Sequence, residues 1–502
     1  MSGYPGRGGL IPRPRGHFRS MDHSRAPALE ALREFHERGY VPFNPPGHKQ
    51  GRGVDEDVLD AVGESVFTAD VISVNGLDDR LSRQGVLSRA QELMADAVGA
   101  EHTFFSTCGS SLSVKSAMLA VAGPHEKLLV ARHAHKSVIS GLIVSGVEPV
   151  WVDPRWDAEQ HLSHPPGVDE VRDAFDRAPE AKGMLLVTPT DYGTCGDIAA
   201  IAELCHERDR TLIVDEAWGA HLPFHDDLPP WAMNAGADLC VTSVHKMGSA
   251  VEQSSVFHLQ GDRVDPAVLK AREDLLGTTS ATSLVYATLD GWRRQMVQHG
   301  KELLSAALEL VHSVRARLDG MPGLRVLAEE FAELTSSYDP LKVVVDVSGL
   351  GISGYQAADW LREHQCVTVG LSDHRRVVAQ FTYADREETA EALVSAFEAL
   401  GGAKLPEPKP VDLPTPDELR LETAMLPRDA FFGPAEQVPA EQAVGRVAAE
   451  MLTPYPPGAP AVVPGEVITR DVLSYLRSGL AAGMSVPDAA DSSLDTIRVV
   501  AK

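Results

Sequence analysis

The chain has 502 residues, enough for two to four domains and a large buried core. Its 71 acidic residues outnumber 46 basic ones, and the net charge of −25 argues against nucleic acid as a partner while suiting either simple solubility or a cationic small-molecule substrate. No apolar run approaches the roughly 18 to 20 residues of a membrane span, and five scattered cysteines without a CxxC suit reduced thiols in a cytoplasm rather than disulfides or a bound metal.

Taken in chain order, residues 1–24 form a leader rich in Gly, Pro and Arg, expected to be flexible and lacking the apolar core of a signal peptide. LSRAQELMADAVG has helical spacing, and HTFFSTCG reads as a strand ending in a turn. SSLSVKSAMLAVAG is a second helix, KLLVARHAH a strand, and KSVISGLIVSG a third helix feeding the strand VEPVWVD. GMLLVTPT, TLIVDEA and DLCVTSV continue the series, so residues 25–300 should hold an N-terminal segment and a large α/β domain built on a mainly parallel sheet. The long amphipathic helix KELLSAALELVHSVRARL and the strand KVVVDVSG then open a smaller α/β domain over 301–404. LPEPKPVDLPTPDE, at 405–418, reads as a linker, and 419–502 as a C-terminal subdomain.

The chemistry concentrates where two apolar runs end in polar residues. TLIVDEA ends in Asp215, and DLCVTSVHK ends in Ser243, His245 and Lys246, so both runs would deliver these groups to the carboxyl ends of parallel strands, where α/β folds place their sites. Singly, Asp215 reads as a helix cap and Lys246 as a surface charge. Together they match what pyridoxal phosphate requires: an amine to hold its aldehyde, and a carboxylate to keep its ring nitrogen protonated. In TCGSSLSVKSAM, Gly109 permits a tight turn, and Ser110 and Ser111 sit where a helix begins, a ready cradle for a phosphate dianion. Ser243 could add a further phosphate contact. His133 or His135, at the end of their strand, could stack on the ring.

NPPGHKQG (44–51), GSS (109–111), HAHKS (133–137), DEAWGAH (215–221), SVHKMGSA (243–250), LPRDAFF (426–432) and PYPPGAPAVVPGE (454–466) follow one another in an order that resembles the ornithine/lysine/arginine decarboxylase family. The resemblance implies the aminotransferase-like, fold type I architecture of pyridoxal phosphate enzymes. It further implies that Lys246 is the Schiff-base lysine, Asp215 the partner of the ring nitrogen and His135 the stacked ring. Ser110, Ser111, Ser243 and His245 would serve the phosphate, and Trp218 and His221 would line the cofactor pocket. The short leader, in place of an N-terminal wing domain, resembles the compact members. A homodimer, or a dimer of dimers, is expected, with PPGHKQG helping to close the site.

Two departures from the family pattern stand out. Gly370, in VTVGLSD, replaces an acid expected to receive the substrate's distal cation, and Ala281 and Thr282 replace a Ser-Pro pair in a loop expected near the cofactor. The implied reaction is decarboxylation of an amino acid, a basic one by family and an atypical one if Gly370 is decisive. Transamination, oxidation or aldol cleavage on the same scaffold is the alternative. Lys246 and His245 are both candidates to return a proton to the α-carbon.

Overall fold

The computed structural model describes residues 21–71, 85–331, 334–455 and 458–502. The leader thus lies almost wholly outside the described residues.

A seven-stranded sheet forms the centre of the large region. Its strands are β1 (His102–Ser106), β2 (Lys127–Ala131), β3 (Glu148–Val152), β4 (Gly183–Val187), β5 (Thr211–Asp215), β6 (Leu239–Ser243) and β7 (Ser255–Leu259). They lie side by side in the order β1-β7-β6-β5-β4-β2-β3. β3, β2, β4, β5 and β6 pair in parallel, whereas β7 is antiparallel to both β6 and β1. The sheet is mainly parallel, as the alternation of helices and strands predicts. SSVFHL adds an antiparallel member that no helical crossover announces. Strands β5 and β6 are buried along their whole length, which explains why both read as unbroken apolar runs rather than alternating ones.

Helices α1 (Gly109–Val121) and α2 (Lys136–Ser145) connect the early strands. Together with the sheet they bury a core of Leu112, Val114, Met118, Leu128, Val130 and Ile139. Helix α3 (Ser283–Asp319) is one continuous 37-residue element; it begins well before the periodic stretch from 301 and runs from the large region to a second sheet. That sheet is antiparallel, with β8 (Arg325–Leu327), β9 (Lys342–Asp346), β10 (Leu371–Ser372) and β11 (Arg376–Gln380) in the order β8-β9-β11-β10. Residues 402–415 carry no regular element. Beyond them, the strands Ala435–Pro439 and Thr496–Val500 pair, and the helix Arg470–Ala482 buries Val472, Leu473 and Leu476 in a separate core. No helix among the described residues is long and apolar enough to cross a membrane.

Candidate active site

Parallel pairing sets Asp215 opposite Val241, two residues before the end of β6, so the chain leaves both strands at the same edge of the sheet. Hydrogen bonds beyond the strands keep the two exits together: Glu216 N–H donates to Val241 O at 2.9 Å, and Ser243 N–H to Ala217 O at 3.3 Å. Val244–Met247 then makes one helical turn that carries His245 and Lys246.

A cavity of about 450 Å³ opens at this edge. It is lined by Ser110, Ser111, His135, Trp218, His245 and Lys246, joined by Asp191, Glu252, Lys342, Gly370, Gln380 and Tyr455, among others. Ser243 Oγ donates to Ser110 Oγ at 2.6 Å, joining two of the hydroxyls at the N-terminus of α1. Gly109 has φ +74°, a conformation that suits glycine and lets the chain turn directly into the helix with its first N–H groups free of intrahelical partners. Asp215 lies behind the lining residues, buried, with the Ala217 N–H 3.2 Å from its Oδ1. Burial pushes its carboxyl up to about 6, against the opposing charge of Lys246. A carboxylate so sparsely bonded in the interior is suited to a cationic partner.

His135 caps α2 by accepting from Ser137 N–H, and its Nδ1 lies 2.9 Å from Ser137 Oγ. Burial pulls the imidazole down to about 4, with the charge of Lys246 acting the same way, so the ring facing the cavity is neutral at pH 7. The PYPPGAPAVVPGE segment explains its own glycine here. Gly458 (φ +91°) accepts from Lys136 N–H at 3.1 Å, and a Cβ at that position would stand 3.3 Å from the His135 ring. Pro456 and Pro457 lie outside the described residues. His133 takes no place in the cavity; its Nε2 lies 3.3 Å from Val187 O.

His245 lines the cavity half-buried, its Nδ1 3.0 Å from Ser254 O, and burial lowers its pKa. Trp218 donates from Nε1 to Asp191 Oδ1 at 3.0 Å and presents its ring to two amines, Lys246 Nζ at 4.2 Å and Lys342 Nζ at 3.1 Å from the centroid. His221 departs from the sequence expectation. It is fully buried beneath the site, with Nε2 3.1 Å from Asp339 Oδ2, and is absent from the cavity lining. The turn after Asp215 aims Trp218 outward and leaves His221 to partner a buried carboxylate.

Gly370 does line the cavity. The Ala281–Thr282 departure does not: Thr282 caps α3, its side chain accepting from Leu284 N–H. Asp191, Lys342 and Gln380 were not singled out from the sequence. No group of three or more His, Cys, Asp or Glu among the described residues is arranged to hold a metal ion. The hydroxyl cluster at a helix start, the buried acid and the amine suit a ligand that carries a phosphate, a basic ring nitrogen and an aldehyde.

The family model of the Orn/Lys/Arg decarboxylase major domain matches residues 26–389, and that of the family's C-terminal domain matches 418–488. The chain is 38% identical over 465 residues to an arginine decarboxylase of Halalkalibacterium halodurans, covering 92% of this chain and 94% of that protein. Lysine decarboxylase A from Pseudomonas aeruginosa superposes with a TM-score of 0.79 at 22% identity, over 95% of this chain and 81% of that one. Ureidoglycine-glyoxylate aminotransferase from Bacillus subtilis superposes with a TM-score of 0.54 at 16% identity, over 70% of this chain and 92% of that one, in keeping with an aminotransferase-like α/β fold. The chain belongs to the ornithine/lysine/arginine decarboxylase family and is an amino-acid decarboxylase.

Proposed function

We propose that the protein is a pyridoxal phosphate enzyme that decarboxylates arginine to carbon dioxide and the corresponding amine. The observation that carries this reading is the grouping of Asp215, Lys246 and the Ser110/Ser243 hydroxyl pair at one edge of the sheet, around a cavity that Lys246 and Ser110 line. The choice of arginine rests on the relative that bears that name at 38% identity.

Bound pyridoxal phosphate would supply an electron sink for the electron pair left when the substrate's carboxylate departs as carbon dioxide. The rest falls to the chain. Ser110, Ser111 and Ser243, with the free N–H groups of α1, would hold the phosphate. Lys246 would hold the aldehyde until the substrate amine displaces it. Asp215 would keep a proton at the ring nitrogen, a pairing that restores its charge inside the protein. His135, neutral and held by Ser137, would cover one face of the ring. Lys246 or His245 would return a proton to the α-carbon. We further propose a homodimer, or a dimer of dimers, acting in the cytoplasm in polyamine formation. Phe43, 94% exposed beside PPGHKQG, is an apolar side chain that a partner would cover.

Incubating the purified protein and pyridoxal phosphate with each common amino acid and ornithine tests the reaction. Carbon dioxide and amine in equal amounts, greatest with arginine, are expected; a keto acid or an aldehyde as the main product would assign another reaction.

A further inference from the structure

Lys342 is the cavity residue whose situation is least explained by what surrounds it. It begins β9, in register with Gln380 at the end of β11, so the two side chains leave the second sheet side by side. Gln380 fastens that sheet to the reaction site: its Nε2 donates to the backbone oxygen of Lys246, and its Oε1 accepts from Lys342 Nζ at 3.4 Å. Lys342 is only 3% exposed, yet its amine reaches the cavity, 3.1 Å from the centre of the Trp218 ring. Among the described residues, no carboxylate comes within ion-pair distance of it. Asp191 is engaged with Trp218, and Asp339 lies against His221. A buried ammonium held by a ring face and an amide oxygen lacks an anion, and burying it that way is unfavourable.

We infer that Lys342 receives the α-carboxylate of the substrate. This rests on the decarboxylase reading above. The substrate brings an anion into a cavity where His135 is neutral, His245 is held at Ser254 O and Lys246 is committed to the cofactor, leaving Lys342, among the described lining residues, as the cation without an ion-pair partner. The serine hydroxyls and helix N-terminus form a separate anion site, suited to phosphate. Gln380 ties the Lys342 amine to the backbone of Lys246, so the group that meets the carboxylate is anchored to the turn that carries the aldehyde-holding residue. Burial pulls the Lys342 amine down to about 7; Asp191 and Asp339 oppose that shift, and Lys246 reinforces it. Its hold on a carboxylate should therefore weaken as pH rises through neutrality. A contact with the ground-state carboxylate acts mainly on KM.

The experiment uses holoenzyme and two probes that cannot lose carbon dioxide. One is 5-guanidinopentanoate, which keeps the carboxylate and the guanidinium but lacks the α-amine. The other is the amine that arginine yields on losing carbon dioxide. Lys342→Gln and Lys342→Met should weaken binding of the carboxylate probe by about tenfold or more, the scale of a lost charge-assisted hydrogen bond. They should leave the amine probe within about twofold, and Lys342→Arg should restore most of the loss. Equal weakening of both probes, or of neither, overturns the inference. So does loss of pyridoxal phosphate affinity in the apoprotein with carboxylate binding intact, which would assign the amine to the cofactor. If no amino acid yields carbon dioxide, the reaction reading falls, whereas the probe comparison still reports on Lys342.

Discussion

Replacing Gly370 with glutamate returns to the cavity the acid expected at this position. A Cβ at 370 would meet Val378 O at 3.4 Å and the Gln380 Cβ at 3.7 Å, ordinary contacts, and the Gly370 N–H to Val378 O bond of 2.9 Å is untouched by a side chain. The backbone should therefore accept the change. Because residue 370 is exposed, its interaction with a substrate cation falls in the surface range of about 1 kcal/mol, or roughly fivefold, and not in the larger range of a desolvated pair. The assay is kcat/KM for arginine against citrulline, its neutral isostere, in wild type, Gly370→Glu and Gly370→Gln. The ratio should rise about fivefold in the glutamate variant and stay near the wild-type value in the glutamine control. An unchanged ratio in both variants would show that the distal end of the substrate lies elsewhere, and the reasoning about this wall of the cavity would be refuted.

Lys246→Ala should lose both the yellow colour of the cofactor-loaded protein and its turnover; a borohydride-reducible chromophore surviving in the variant would move the aldehyde to another amine. Asp215→Asn should keep cofactor but lose on the order of 10²- to 10⁴-fold in rate, because an amide cannot hold the ring proton, and near-normal turnover would remove Asp215 from that role. His258 tests the electrostatics away from the chemistry. Burial pulls it down to about 3 from an ordinary 6.5, so the folded state excludes a proton that the unfolded chain binds. Its contribution is intact above pH 6.5 and is lost as pH falls toward 3, a cost of about 2 kcal/mol at pH 5. Urea unfolding of His258→Gln should show a pH 5 to pH 7 difference smaller than wild type by about that amount, and equal differences would contradict the assignment.

Asp215, Ser243 and Lys246 were legible because two buried strands announce themselves as apolar runs, and the residues that end them share an edge whenever the strands are parallel. Ser110 and Ser111 were legible for a similar local reason, a glycine turn before a helix. Lys342 and Gln380 were not. In KVVVDV the lysine reads as a strand's polar first residue, and only the packing of the second sheet on the turn at Lys246 brings its amine over Trp218. His221 lies six residues beyond Asp215, and which way its ring faces depends on a turn closed by Gly219 N–H to Glu216 O and on the buried Asp339, more than a hundred residues later. The antiparallel β7 was hidden because SSVFHL carries no sign of its direction.

The most direct measurement is to run the reaction with arginine in deuterium oxide and follow both substrate and product by mass spectrometry and NMR. Decarboxylation gives one carbon dioxide per amine, a single deuterium on the carbon that carried the carboxylate, and unreacted arginine with no deuterium at its α-carbon. Deuterium accumulating at the α-carbon of recovered arginine, with no carbon dioxide released, would contradict it by showing that the site breaks the carbon–hydrogen bond instead.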